Sequence, residues 1–170
     1  MENNKVPKRK EIRLKEYDYS SDGGYFVTIC TKSKKYLLST IRVGDGLLDV
    51  PHIELTDKGR IVEEQFEIMN VLYEDIKVNH YVIMPNHIHF IVEITKRNRT
   101  SGKPSSTRSN AIIPKYISTF KRFTNRKSGI DLWQRSYYDH IIRNEADYIE
   151  KRNYIKSNPY KWADYEYYSI

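Results

Sequence analysis

Two histidines separated by one residue, His87 and His89, open the stretch HIHFIVEI, whose β-branched and aromatic residues predict a strand. Side chains two residues apart in a strand point to the same face, which places the two imidazoles about 7 Å apart at Cα. Neutral imidazole is a nitrogen ligand for divalent metals, and two of them leave positions open for water or substrate oxygens. The pair therefore predicts half of a metal site, although an isolated His-x-His motif is more often two polar residues on a solvated sheet face.

The residues around the pair favour a site over a solvated face. Ile88, Phe90 and Val92 alternate with the histidines, so they occupy the opposite face and leave a distinct histidine face. Glu93 falls on the histidine face and is a candidate for a further ligand or for a group that orients one. His80 lies on the preceding predicted strand, so three of the five histidines fall within ten residues.

A third candidate group lies on the helix predicted over 144–158, where Tyr154 and Asn158 are four residues apart and share a face. A tyrosine hydroxyl, with an ordinary pKa of about 10, is a poor nucleophile at neutral pH unless a metal or a basic group assists. The amide carbonyl of Asn158 is a suitable oxygen ligand for Mg²⁺ or Mn²⁺. If the helix lies over the histidine face, nucleophile and metal come together. Packing must use most of the 15 tyrosines, and the pattern alone leaves four candidate nucleophiles: Tyr137, Tyr138, Tyr148 and Tyr154.

Length and composition limit the class of protein that carries these residues. A chain of 170 residues predicts one domain, 1–170, with room for a core. The single cysteine, Cys30, excludes a disulfide framework and a cysteine-rich zinc site. No apolar run approaches the roughly 20 residues of a membrane span, and the polar, basic start of the chain is not a secretory signal. We expect a cytoplasmic protein with no membrane partner, and its net charge of +7 points to a polyanion such as nucleic acid.

The positive charge is concentrated in two segments. One is a basic N-terminal arm, residues 1–16, and the other runs from 95 to 128 without a single acidic residue. Its first part, rich in Ser, Gly, Arg and Lys, predicts a mobile basic loop over 95–110. As a DNA-binding surface the segment offers ten cations: Lys96, Arg97, Arg99, Lys103, Arg108, Lys115, Lys121, Arg122, Arg126 and Lys127. Interleaved rings, Tyr116 and the nearby Trp133 among them, could stack on bases. The alternative is a solvated loop followed by an ordinary exposed helix face.

Hydrophobic periodicity and turn residues predict the elements that must position these groups. Strands are predicted over 25–31, 76–84, 87–94 and 132–142, and helices over 57–73, 111–127 and 144–158. Thr56 and Asn144 are the expected helix caps, and Pro159 is expected to end the third helix. A loop or short hairpin is expected over 43–56. The first six elements give the order βαββαβ, which predicts an α+β, ferredoxin-like antiparallel sheet with an additional C-terminal catalytic helix.

Three blocks of the chain resemble a known family. MPNHIH, residues 84–89, resembles the HUH signature (His, hydrophobic, His) of single-tyrosine transposases. The stretch from Trp133 to Trp162, WQRSYYDHIIRNEADYIEKRNYIKSNPYKW, resembles the C-terminal part of the REP-associated tyrosine transposases. YDYSSDGGYFVTICT, residues 17–31, is similar to the first strand of that group. The blocks cover both ends and the middle of the chain, and together they are far more specific than His-x-His alone.

The resemblance implies a metal-dependent, single-strand DNA endonuclease and strand transferase. In that family the paired histidines, here His87 and His89, bind Mg²⁺ or Mn²⁺. The family's nucleophilic tyrosine aligns with Tyr154 and forms a 5′-phosphotyrosine, leaving a free 3′-hydroxyl. The third ligand aligns with Asn158, where more distant members often carry Gln. Lys151, one turn before Tyr154, is a candidate for lowering the tyrosine pKa or for holding a phosphate.

The implied partner is single-stranded or hairpin DNA, gripped by the basic segment, and the implied assembly is a monomer or a homodimer. Two other functions fit the same residues. The chain could be a non-catalytic single-strand or hairpin nucleic-acid-binding protein, which would depend steeply on salt but not on divalent metal. It could also be a metal-dependent hydrolase of small phosphoesters in which Tyr154 is structural.

Overall fold

The computed structural model describes residues 23–42, 50–95 and 112–167. The basic arm 1–16, and the predicted loop 95–110 after its first residue, lie outside the described residues. The single domain over 1–170 therefore stays a prediction. Among the described helices none has both the length and the apolar character that crossing a membrane requires.

A four-stranded antiparallel sheet forms the centre of the fold. Its strands are β1 (Gly23–Cys30), β4 (Ile76–Ile83), β5 (His87–Ile94) and β6 (Tyr138–Ile142), in the spatial order β4-β5-β1-β6. A short hairpin of β2 (Ser39–Arg42) and β3 (His52–Leu55) forms a separate two-stranded sheet. The helices are α1 (Asp57–Leu72), α2 (Ile112–Ser128) and α3 (Glu145–Tyr167). Without the hairpin the order is βαββαβα, so the predicted ferredoxin-like α+β fold is confirmed.

The two faces of the sheet carry different helices because the strands alternate apolar side chains to both sides. Ile88, Phe90 and Val92 of β5 pack with the buried face of α2 and with α1 in the larger core cluster. Ile91 faces the other way and packs with Ile155 of α3 in a second cluster. Helix α3 therefore covers the histidine face, and α1 and α2 cover the opposite face.

Helix α3 begins as predicted but does not end as predicted. Asn144 caps it, since the Asn144 side-chain oxygen accepts a hydrogen bond from the Asp147 backbone N–H at 2.9 Å. The expected end at Asn158 is wrong, because the helix runs through Pro159 to Tyr167. A proline inside a helix removes its own N–H bond and crowds the carbonyl four residues before it, so other contacts must offset this cost. Here the residues beyond it find partners, and Trp162 packs against the second cluster.

The segment before β6 also differs from the prediction. The strand predicted over 132–142 is regular only over Tyr138–Ile142, and Trp133 forms an isolated bridge with Thr31. The Lys121 ammonium donates to the backbone carbonyls of Gln134 and Ser136, at 2.7 and 3.0 Å. Those carbonyls are therefore satisfied by a side chain instead of by a neighbouring strand.

Of the loop or short hairpin predicted over 43–56, the structure shows a hairpin that begins earlier than expected. Its second strand, β3, does fall in that range, but its first strand, β2, precedes it and was not predicted. Ile41 and Ile53 of the hairpin pack against the second cluster, so the hairpin lies on the same side of the sheet as α3.

A close approach at Gly59 fixes α1 against the segment that leads into β2. A Cβ at Gly59 would stand 2.0 Å from the Leu38 carbonyl oxygen, and that oxygen accepts a hydrogen bond from the Thr56 N–H at 3.0 Å. Gly59→Ala should therefore destabilise the protein by about 1–3 kcal/mol through overpacking, although alanine is the better helix former. Urea unfolding checks this, with Lys58→Ala as the neighbouring control. A Gly59→Ala protein as stable as the wild type would contradict the close approach.

Candidate active site

His87 and His89 lie side by side on β5, as the strand alternation predicted. Their ring centroids are 4.6 Å apart, and the planes are inclined by 72°. Because β5 is paired on both sides, to β1 and to β4, the backbone that carries the two rings is fixed by hydrogen bonds. The rings therefore converge on one rigid spot of the sheet.

Each histidine is oriented through its Nδ1 atom. Nδ1 of His87 lies 2.6 Å from Asn86 Oδ1, and Nδ1 of His89 lies 2.8 Å from Thr28 Oγ1 on β1. Since a carbonyl oxygen can only accept, Nδ1 of His87 carries the proton and Nε2 keeps its lone pair. The Thr28 hydroxyl can hold His89 in the same tautomer. Metal-binding histidines are typically oriented by such a contact at their other nitrogen.

Burial keeps both rings neutral. It lowers the pKa of His87 to about 4; the hydrogen bond with the Asn158 side chain opposes this shift, and the Lys34 charge adds to it. Burial, with a smaller contribution from the neighbouring His87, lowers the pKa of His89 to about 3. Both imidazoles are therefore free of the extra proton at neutral pH and can bind a cation.

Helix α3 brings Tyr154 to the histidine pair. The Tyr154 ring lies 5.2 Å from the His89 ring and meets Phe26 edge-on at 5.8 Å. Phe26 in turn stacks on His89 at 5.3 Å, so the three rings form one aromatic cluster. Tyr154 nevertheless remains 38% exposed, so it lies at the surface of the cluster.

Asn158 lies one turn beyond Tyr154 and is only 6% exposed. Its side chain is hydrogen-bonded to His87. The structure thus brings His87, His89, Tyr154 and Asn158 together, and among the candidate tyrosines it is Tyr154 whose ring contacts a histidine of the pair.

Polar contacts outside the cluster hold α3 in this position. The Tyr148 hydroxyl donates to Glu93 Oε1 at 2.8 Å, so Glu93 anchors the helix and is not directed to the histidines. Near the start of the helix the Asp147 carboxylate contacts His140 Nε2 of β6 at 3.0 Å. Together with the burial of Ile155, these contacts fix the register of the helix over the sheet.

The donor set fits a divalent cation. Two neutral imidazoles and one amide carbonyl are chemically suitable ligands, and they leave positions for substrate oxygens. Mg²⁺ prefers oxygen ligands, so two nitrogens suit Mn²⁺ better. Within the described residues no group of three or more His, Cys, Asp and Glu side chains offers an alternative metal site.

The cation next to Tyr154 is not the predicted one. Lys151 pairs with Glu150 at 2.7 Å and lies 3.8 Å from Asp147. Instead, the Lys161 ammonium lies over the Tyr154 ring, 4.7 Å from its centre. Sequence reasoning missed Lys161 because Pro159 was expected to end the helix, whereas in a continuous helix residues seven apart share a face.

The basic segment is divided from this site by the sheet. Five of its ten cations are described, and all lie on α2, which covers the face opposite to the histidines: Lys115, Lys121, Arg122, Arg126 and Lys127. Lys96, Arg97, Arg99, Lys103 and Arg108 lie outside the described residues. Base stacking on Tyr116 or Trp133 is excluded, because these rings are 1% and 3% exposed in the core.

Comparisons with known proteins find relatives in sequence and in fold. No family model matches the chain. It is 32% identical over 174 residues to an uncharacterized protein of Haemophilus influenzae, across 94% of this chain and 93% of that protein. It is 26% identical over 85 residues to the REP-associated tyrosine transposase of Escherichia coli, across 50% of this chain and 45% of that protein. The fold resembles that of a REP-associated tyrosine transposase bound to a REP hairpin, with a TM-score of 0.59 and 20% identity over 88% of this chain and 73% of that one.

The chain is similar to REP-associated tyrosine transposases in sequence and in fold. The resemblance noted in the sequence is thereby confirmed, and it supports a transposase-like role. In this chain the candidate site comprises residues from three elements: β1, β5 and α3.

The buried neutral histidines should make the stability of this protein pH-dependent. The unfolded chain takes up a proton at His89 below about pH 6.5, whereas the folded protein does so only near pH 3. The free energy of unfolding should therefore fall as the pH falls through this window. In chelator, urea unfolding between about pH 6 and 5 gives the slope of the free energy of unfolding against pH. This slope should be smaller in His89→Gln than in the wild type by up to ~1.4 kcal/mol per pH unit. Equal slopes would mean that His89 titrates normally.

Proposed function

We propose that this chain cleaves and rejoins single-stranded DNA through a covalent link to Tyr154. The observation that carries the proposal is the position of the Tyr154 ring, 5.2 Å from His89 on the histidine face. The likeness to REP-associated tyrosine transposases supports it, as does the REP hairpin bound by the structural neighbour. We extend that ligand class to this chain: the substrate is single-stranded DNA that carries a hairpin.

His87, His89 and Asn158 would hold Mg²⁺ or Mn²⁺ in this proposal. Bound there, the cation neutralises charge on the scissile phosphate. The side chains hold their own positions: Asn86 and Thr28 orient the imidazoles at 2.6 and 2.8 Å, and burial keeps the imidazoles unprotonated.

The covalent step transfers a phosphoryl group between two oxygens. The Tyr154 hydroxyl loses its proton to solvent, its oxygen bonds to the phosphorus, and the bond from phosphorus to the 3′ oxygen breaks. The leaving 3′ oxygen takes up a proton and becomes a free hydroxyl. Lys161, over the Tyr154 ring at 4.7 Å, stabilises the negative charge that develops on the phenol oxygen. Rejoining is the reverse reaction with a 3′-hydroxyl as nucleophile, so no nucleotide cofactor is needed.

Removal of the phenol hydroxyl should abolish the adduct. Tyr154→Phe should form no covalent protein–DNA species on hairpin-bearing single-stranded DNA with Mn²⁺, while its affinity for that DNA stays within about tenfold, since one hydrogen bond at most is lost. A denaturing gel separates the mass-shifted adduct from free protein. Tyr160→Phe is the matched control, because Tyr160 is exposed on the same helix.

The outcomes distinguish the alternatives. An adduct that persists in Tyr154→Phe would show that another residue is the nucleophile. DNA binding without any adduct in the wild type would favour a non-catalytic hairpin-binding protein. Turnover of small phosphoesters without an adduct would favour a hydrolase.

Metal dependence has its own test at the residue that orients His89. Chelator should abolish the adduct, and His87→Ala should do the same at any Mn²⁺ concentration. Thr28→Val keeps the side-chain shape but removes the contact to His89 Nδ1, so it should weaken Mn²⁺ binding by roughly 10–100-fold. Calorimetric titration of Mn²⁺ measures this, with His52→Ala on the exposed hairpin as control. Full adduct formation in chelator would overturn the metal site.

A further inference from the structure

An aromatic pair, of which Tyr36 is exposed and Trp162 is partly buried, borders the candidate active site. The Trp162 ring lies 6.0 Å from the His87 ring, and Tyr36 meets Trp162 edge-on at 5.3 Å. Tyr36 is 64% exposed, so most of its ring surface is free of packing in a core. The pair therefore presents aromatic surface directly beside the histidines.

Two lysines flank the pair. Lys161 precedes Trp162 and lies over the Tyr154 ring. Lys34 lies close enough to His87 to act on it electrostatically. We call these four residues, Lys34, Tyr36, Lys161 and Trp162, the aromatic corner.

The backbone that carries Lys34 adopts a conformation that is uncommon outside glycine. Ser33 and Lys34 have φ angles of 57° and 53°, so two consecutive side-chain-bearing residues are left-handed. The Thr31 hydroxyl bonds to the carbonyls of Lys35 and Asn86, at 2.8 and 3.0 Å. The turn is thereby tied to the residue that precedes His87. Strained backbone of this kind persists where surrounding contacts enforce it and is concentrated at functional sites.

The other half of the corner depends on the helix continuing past Pro159. Had α3 ended at Asn158, Lys161 and Trp162 would not be held over the sheet. In the continuous helix Trp162 follows Asn158 by four residues, so both lie on the face that contacts the histidines. The turn at Ser33 and Lys34 and the part of α3 beyond Pro159 thus both lie beside His87.

We propose that the aromatic corner binds the nucleotide next to the scissile phosphate, with an unpaired base stacked on the Tyr36–Trp162 pair and its flanking phosphates held by Lys34 and Lys161. The inference deepens the proposed function, on which it rests for the identity of the substrate. Aromatic faces accept any base, and ammonium groups bind phosphates without reading sequence. The corner therefore orients the strand at the site of chemistry but contributes no sequence specificity.

Binding of oligothymidylate to the Tyr154→Phe protein tests the stacking half without cleavage. Adding Tyr36→Ala should weaken binding roughly fivefold or more, while Tyr36→Phe should stay close to the parent, because the ring and not the hydroxyl makes the contact. Tyr160→Ala is the matched control, since Tyr160 follows Asn158 by two residues and points to the other side of α3. Oligothymidylate should also quench tryptophan fluorescence in the parent but not in Trp162→Phe, because Trp133 is buried.

Salt dependence tests the lysine half. Each phosphate contact to single-stranded DNA contributes about 0.7 to the slope of log affinity against log salt. Lys34→Ala and Lys161→Ala should each reduce that slope by about 0.7, and Lys156→Ala, on the opposite side of α3, should leave it unchanged.

The proposal is overturned if Tyr36→Ala lowers thermal stability without weakening binding, because the ring then only braces Trp162. It is also overturned if Lys34→Ala, Lys161→Ala and Lys156→Ala all have the same slope of log affinity against log salt. These results are independent of the covalent chemistry. If the wild type forms the adduct but the corner variants bind DNA normally, the proposed function stands and the aromatic corner does not bind the nucleotide. If the corner variants bind DNA more weakly but the wild type forms no adduct, the aromatic corner binds DNA and the proposed covalent function is wrong.

Discussion

The packing of α3 across the histidine face is the interaction on which the site depends. Ile155 carries it, since burial of such a side chain is worth about 1.5–3 kcal/mol. The bond from Tyr148 to Glu93 then fixes the helix along the strand direction. A helix docked by Ile155 alone could rotate or slide, and Tyr154 would lose its place beside His89. Because the docking residues alternate along α3 with the reacting ones, one helix supplies both the attachment and the chemistry.

The same packing determines the protonation state of the histidines. The second cluster of apolar residues, with Phe26 stacked on His89, removes water from the imidazoles and depresses their pKa values. An exposed His-x-His pair would be partly protonated in mildly acidic conditions and would repel a cation. Burial alone would carry a cost, since an unpaired polar nitrogen is unfavourable there. Asn86 and Thr28 remove that cost and determine which nitrogen remains free.

The sequence was sufficient to predict those features of the fold that depend on residues close together in the chain. Alternation along 87–94 predicted the two faces of β5, and Asn144 predicted the start of α3. Where tertiary contacts decide, the sequence was not sufficient. Pro159 stops an isolated helix, but packing of Trp162 outweighs the lost bond. Thr28 reaches His89 only because of the register between β1 and β5, which no local pattern contains. The choice of Tyr154 among the tyrosines likewise came from resemblance and not from spacing.

The distribution of charge shows why counting cations along the chain says little about where DNA is held. In α2, Lys121 has a structural role, because its ammonium donates to backbone carbonyls. Burial lowers its pKa to about 8. Lys127 pairs with Glu64 of α1. The remaining exposed cations of α2 are separated from the histidines by the sheet, so they can attract DNA at long range but cannot touch the phosphate that reacts. Short-range contact with that phosphate must come from residues on the histidine face, where Lys161 of α3 and Lys34 of the turn after β1 lie outside both basic segments.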